Sequence, residues 1–163
     1  MLDKETIKKL DFKSPHTWMA TWFGSGLMSP APGTWGTLAA MPFAMIMSIF
    51  GSPLILIIAA CIVYLIGIKS VQIIEEQTKS HDSGYIVIDE VVGLWIAFVA
   101  AEANAIHFVA AFLLFRFFDI LKPFPIGWLD RNLEGARGVM LDDVVAGIYA
   151  AIVLGGARYV FGI

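Results

Sequence analysis

Five apolar stretches govern what this chain can fold into. They cover residues 35–50, 53–68, 86–101, 105–121 and 144–161. Short polar links separate them: Gly51-Ser52-Pro53 makes a tight turn between the first two, and Glu102-Ala103-Asn104 another between the third and fourth. Links this short make the joined helices antiparallel neighbours. A bilayer crossing takes about 20 residues, with ~17 as a lower bound, so several runs are long enough only if flanking residues join them. Residues 86–101 form the weakest run, because Asp89 and Glu90 interrupt its start. The expected fold class is all-α: a polytopic helical membrane bundle with about five apolar spans and a re-entrant or interfacial N-terminal segment.

Composition agrees with this reading. The 163 residues are 58% hydrophobic and 15% charged, with a mean hydropathy of +0.77. Soluble domains average ~45–50% apolar and ~25% charged residues. This chain has too little polar surface to cover a soluble fold. Its length suits a single membrane-embedded domain over residues 1–163. The net charge of −3 offers no grip on nucleic acid. Cys61, the single cysteine, cannot form an intrachain disulfide and reads as a small buried hydrophobe within residues 57–65. The N-terminus does not resemble a signal peptide, since Ser14-Pro15 follows a polar start where an apolar core should begin. Leu2, Ile7 and Leu10 alternate with Lys4, Lys8, Lys9 and Lys13. Residues 1–16 therefore read as an interfacial amphipathic tail on anionic headgroups, with a frayed polar tail as the alternative.

If the chain alternates sides, residues 1–34, 69–85 and 122–141 share one face, and the turns at Gly51 and at 102–104 lie on the other with the C-terminus. Lys4, Lys8, Lys9, Lys13, Lys69, Lys79, Lys122, Arg131 and Arg137 all fall on the first face, Arg116 lies within two turns of it, and only Arg158 is near the second. The positive-inside rule makes the first face cytoplasmic. Met1, Lys79 and Arg131 are thus expected inside and Ile163 on the opposite side. Of the 14 acidic residues, only Glu102 belongs to the far face.

Five of the acids sit within or against apolar runs, where an exposed face does not explain them: Asp89, Glu90, Asp119, Asp142 and Asp143. Carboxylates there usually face a bundle interior or a polar cavity. Two helix starts are alike, Asp89-Glu90-Val91-Val92-Gly93 and Asp142-Asp143-Val144-Val145-Ala146-Gly147. Each places an acidic pair at a helix N-terminus, where the macrodipole favours it, and a glycine one turn on, where a neighbouring backbone can approach. Simple capping is the plainer explanation, although a cap needs one acid and not two. Arg116, Asp119 and Lys122 follow at spacings of three along one side of the next helix, which Pro123 and Pro125 stop. An internal salt bridge with a snorkelling lysine is the alternative. Together these helices bring carboxylates to one level, where they repel unless a cation or proton neutralises them. All-oxygen ligation by Asp89, Glu90, Asp119, Asp142 and Asp143 suits one or two hard cations such as Mg²⁺. His16, His81 and His107 are isolated and do not suggest zinc. Lys122, Arg131 and Arg137 share the face, and Arg matches phosphate geometry. Carboxylates with Mg²⁺ beside basic groups at a lipid surface point to phosphoryl chemistry on a headgroup. The segment 24–37, rich in Gly, Ser and Thr, lacks the ending of a Walker loop. It reads either as a turn with an N-cap at Thr34 or as a loop whose amides and hydroxyls, Ser25 and Thr34 among them, touch phosphate.

Five segments in order resemble the phosphatidylglycerophosphatase A family. They are Phe23-Gly24-Ser25-Gly26-Leu27, Pro32-Gly33-Thr34-Trp35-Gly36-Thr37, Asp89-Glu90-Val91-Val92-Gly93, Phe115-Arg116-Phe117-Phe118-Asp119-Ile120-Leu121-Lys122-Pro123-Phe124-Pro125 and Leu141-Asp142-Asp143-Val144-Val145-Ala146-Gly147. The resemblance covers the chain from about Trp18 to Tyr159. It implies a multi-pass, Mg²⁺-dependent lipid phosphatase of a bacterial inner membrane with its site facing the cytoplasm. The implied substrate is phosphatidylglycerophosphate of the cytoplasmic leaflet, and the products are phosphatidylglycerol and inorganic phosphate. Asp89, Asp119 and Asp143 are the expected catalytic residues, and Arg116, Lys122, Arg131, Arg137, Ser25 and Thr34 the expected phosphate-binding ones.

Two rivals fit less well. A CDP-alcohol phosphotransferase needs Asp-x₂-Asp-Gly-x₂-Ala-Arg, whereas residues 130–137 carry Leu133 at the second acid. A cation transporter needs polar residues across the far half of the membrane, which offers little beyond Glu102, Asn104 and His107.

Overall fold

The computed structural model describes residues 4–80 and 83–162. The expectations placed on Leu2, His81, Met1 and Ile163 lie outside the described residues. Within them the chain forms α1 (Lys4–Lys8), α2 (Pro15–Ala20), a 3-10 turn (Ser25–Leu27), α3 (Pro32–Phe50), α4 (Pro53–Thr78), α5 (Ile88–Phe98), α6 (Ala105–Leu121), α7 (Ile126–Asn132) and α8 (Ala136–Phe161). No strand occurs among the described residues.

Local chemistry sets many of these boundaries. Ser14 caps α2 by accepting the His16 N–H, and Asn104 caps α6 by accepting the His107 N–H at 2.9 Å. Proline opens α2, α3 and α4 at a position that has no intrahelical N–H partner to lose. The α6 helix ends where Lys122 turns left-handed at φ 45° and donates its backbone N–H to the Phe118 carbonyl. The N-cap reading of Thr34 is corrected: α3 starts at Pro32 behind Ala31, so Thr34 lies inside the first turn.

Among the described residues three helices, α3, α4 and α8, are long and apolar enough to cross a membrane, fewer than the expected total of about five spans. The α5 helix has 11 residues, or roughly 16 Å at ~1.5 Å per residue, well short of a ~30 Å hydrocarbon core. Its run is apolar for another reason. Ile88, Val91, Val92, Leu94, Ala97 and Phe98 are buried, because α3, α4, α6 and α8 wrap the helix on all sides. The preceding residues are not helical; the Val87 N–H donates to the Ala20 carbonyl at 2.9 Å and ties this segment to α2. By contrast, Ile58, Ile62 and Leu65 of α4 are exposed. Cys61 lies on that outward surface too, so its reading as buried is corrected: a continuous apolar run does not reveal which side faces protein. In the N-terminal segment Leu10 is buried and Ile7 packs on the core, so the apolar side faces the protein while Lys8, Lys9 and Lys13 stay exposed.

The α5 and α8 helices touch where both carry glycine. A Cβ at Gly147 would strike the Gly93 carbonyl, and a Cβ at Gly93 would stand 2.6 Å from the Asp143 carbonyl. This close approach holds the two acidic pairs side by side. At the opposite end of the bundle, Arg158 pairs with Glu102 and donates to the Ala100 carbonyl at 2.7 Å. The two exceptions to the charge partition thus satisfy each other. His107 serves the same turn, accepting the Glu102 N–H at 3.2 Å, and His16 contacts the Ser70 hydroxyl at 3.1 Å.

Candidate active site

The polar end of the bundle holds a cavity of about 750 Å³. The first turn of α5 supplies Asp89 and Glu90, whereas Asp142 and Asp143 come from the second turn of α8, so the expectation that this pair opens a helix is corrected: α8 already begins at Ala136. The end of α6 adds Arg116, Asp119 and Lys122, and α7 adds Asp130 and Arg131. All five acids singled out in the sequence therefore reach one space, from three helices.

Within it they divide by partner. Asp89, Glu90 and Asp143 each offer an oxygen, and the three oxygens lie within 4.8 Å of one another. Asp89 accepts the Glu90 N–H at 3.0 Å, which turns its carboxylate back over the start of α5. Asp119 is held differently: the Arg116 Nη1 stands 2.6 Å from it and 3.6 Å from Glu90. The same Nη1 reaches the Thr37 hydroxyl at 3.5 Å, and that hydroxyl donates to the Gly33 carbonyl at 2.7 Å. Asp142 is engaged by Lys122, whose Nζ is 2.8 Å from it and 2.6 Å from Asp130. Burial works against the Lys122 ammonium, but its hydrogen bonds to Asp130 and Asp142 outweigh that cost and hold its pKa above the usual lysine value.

Three carboxylates so close repel one another unless a cation or proton intervenes. One oxygen of Glu90 is buried without a hydrogen-bond partner. A purely oxygen donor set with a spare buried oxygen fits a hard divalent cation, and Asp89, Glu90 and Asp143 are the residues placed to hold one.

Three expected phosphate ligands lie elsewhere. Ser25 is buried, and its hydroxyl donates to the Trp22 carbonyl at 2.8 Å, so it braces the loop. Neither Thr34 nor Arg137 lines the cavity, and Arg137 is exposed on α8. From that loop it is Gly33 that reaches the cavity, where a Cβ would run into Glu90. The sequence reading also missed Thr37, Glu75, Glu134 and Asp130 as neighbours of the site. Glycine and threonine in the 33–37 segment gave a signal for the first of these. Nothing in the spacing of Lys122 and Asp130 announces that they pair, because a turn between two helices brings them together.

Comparison with known proteins shows the family. The model of the family Phosphatidylglycerophosphatase A matches residues 18–158, which contain the whole cavity. A phosphatidylglycerophosphatase A of Haemophilus influenzae is 44% identical over 161 residues, 98% of either chain. That of Escherichia coli is 39% identical over 150 residues, 90% of this chain and 85% of the relative. A putative phosphatidylinositol-3-phosphatase of Bacteroides thetaiotaomicron is 36% identical over 157 residues, 88% of this chain and 94% of the relative. No solved structure matches. With the motifs in order and the match running nearly end to end, the chain belongs to the phosphatidylglycerophosphatase A family.

Proposed function

We propose that the protein hydrolyses the terminal phosphomonoester of phosphatidylglycerophosphate, with Mg²⁺ as cofactor, to give phosphatidylglycerol and inorganic phosphate. The observation that carries this reading is the meeting of Asp89, Glu90 and Asp143 within 4.8 Å beside the cationic side chains of Arg116 and Lys122. Family membership supplies the substrate class. The positive-inside rule supports a cavity open to the cytoplasmic side, facing phosphatidylglycerophosphate of that leaflet, and the bacterial relatives support an inner-membrane location.

A phosphomonoester carries close to two negative charges near neutral pH and cannot enter hydrocarbon. The chemistry must therefore run at headgroup depth, at the end of the bundle, where the cavity is. Lys122 and Arg131 line it and offer N–H donors to phosphoryl oxygens. Arg116 neutralises Asp119 and part of Glu90, so that an anionic substrate meets less repulsion. Asp89, Glu90 and Asp143 would hold Mg²⁺, with Asp119 and Asp142 fixed beside them by their cationic partners. The metal supplies positive charge against the phosphoryl oxygens as charge builds there. Either water attacks phosphorus in line, or the carboxylate of Asp89, Asp119 or Asp143 does so and water then cleaves the resulting acyl phosphate; in both routes the P–O bond to glycerol breaks and the glycerol oxygen ends with a proton that the consumed water supplies. Overall, one water is consumed and the diacyl lipid stays in the membrane.

The Bacteroides relative named for phosphatidylinositol 3-phosphate suggests a second headgroup for the same site. Phosphate release by purified protein from the two lipids, compared side by side with Mg²⁺ and with EDTA, tests both. Turnover of phosphatidylglycerophosphate that stops with EDTA is expected. Metal-independent turnover would refute the mechanism, and preference for the inositol lipid would refute the substrate.

A further inference from the structure

We propose that Asp130 is a positioning residue for the lipid phosphate: it holds the Lys122 ammonium so that one of its N–H bonds stays directed at the cavity. This inference rests on the phosphatase reading above. Lys122 sits between two carboxylates of different character. Asp142 is a buried floor residue, with its side chain 7% exposed, while Asp130 lies at the rim and is 34% exposed. An ammonium has three donors. Asp130 at 2.6 Å and Asp142 at 2.8 Å take two of them, from two different helices. The third is left for a phosphoryl oxygen in the cavity that Lys122 lines. A lysine on a flexible four-carbon stem has no fixed direction of its own, so the second acid matters. With Asp142 alone, the ammonium would be free to swivel about a single contact.

The chain turn between α6 and α7 serves this arrangement. Lys122 ends α6 in the left-handed region, and its carbonyl accepts the Gly127 N–H at 3.2 Å. Any Cβ at position 127 would stand 2.6 Å from that same carbonyl, so glycine is what lets α7 fold back this tightly. Asp130 follows Gly127 by three residues and shares its side of α7. The face of α7 that packs on the end of α6 is thus the face that carries the carboxylate. A lysine and an aspartate eight residues apart become partners through this turn.

Steady-state kinetics on the full-length protein in mixed micelles, with phosphatidylglycerophosphate as substrate, test the idea. Asp130→Asn should raise KM by about tenfold and leave kcat within about twofold, since ground-state and transition-state binding are weakened alike. Asp130→Glu should recover part of the loss. In a Lys122→Met background, Asp130→Asn should add nothing, because residues acting through one contact are not additive. Asp130→Ser carries the same expectations should the asparagine variant fold poorly by circular dichroism. An unchanged KM, a fall confined to kcat, or independent, multiplying losses in the double variant would overturn the proposal. Wild-type protein that releases no phosphate would remove the phosphatase reading itself, a result distinct from an active enzyme indifferent to position 130.

Discussion

Gly93 of α5 and Gly147 of α8 meet backbone to backbone, leaving no room for a side-chain carbon at either position. Each follows an acidic pair by about one turn. The contact therefore brings Asp89 and Glu90 to the level of Asp143. Replacing Gly147 with alanine should force the helices apart. Overpacking of this kind costs about 1–3 kcal/mol. Thermal unfolding in detergent should show the loss, with activity falling further than stability as the carboxylates separate. A variant with wild-type activity would separate the helix contact from the site.

Among the acids, Asp89, Glu90 and Asp143 form the tight group. Alanine at any of them should lower kcat by ~10²-fold or more, since the charge stabilisation they organise acts in the transition state. Mn²⁺ binding, followed by electron paramagnetic resonance on the resting protein, should weaken in the same variants. Near-normal activity and Mn²⁺ affinity in all three would rule out this group as the metal site.

Arg131 lines the cavity from α7. Changing it to alanine should reduce kcat/KM by about tenfold while leaving the circular dichroism spectrum unchanged, as expected for loss of a charge-assisted contact to phosphate. Lysine there should restore only part, because it lacks the planar fork. Full rescue by lysine would show that only charge is needed.

At the far end, the Glu102–Arg158 pair is partly exposed and distant from the cavity. Arg158→Ala removes that pair and the bond to the Ala100 carbonyl. The expected cost is about 1 kcal/mol of stability, typical of exposed ion pairs. Turnover should not change. Loss of activity without loss of stability would give this end a functional role.

Orientation is open to labelling. Cysteines introduced at positions 79 and 131, in a background where the exposed Cys61 is replaced by alanine, should resist an impermeant reagent added to intact cells and react once the membrane is opened. Labelling from outside would invert the topology.

Several features were legible without coordinates. Gly51-Ser52-Pro53 and Glu102-Ala103-Asn104 announced breaks between apolar runs, which is local backbone chemistry. The partition of charge to one end was legible because each apolar run reverses the chain. The likeness of the two acidic segments was legible too, down to the glycines that let the backbones meet, but only Asp89-Glu90 opens a helix, since α8 begins at Ala136 and carries Asp142-Asp143 in its second turn. What the sequence could not say is what covers an apolar residue. Residues 86–101 and 53–68 look alike as apolar runs, yet α5 is enclosed by other helices and α4 presents Ile58, Ile62 and Leu65 outward. Avoidance of water does not distinguish protein from lipid, so the number of crossing helices and the exposure of Cys61 waited on packing. The division of the acids also waited on it. Five carboxylates on three helices share a level, but only the crossing of α5, α6 and α8 decides which face one another and which face Arg116 or Lys122. Helix periodicity fixes directions within one helix, and distances between helices come from how their surfaces fit.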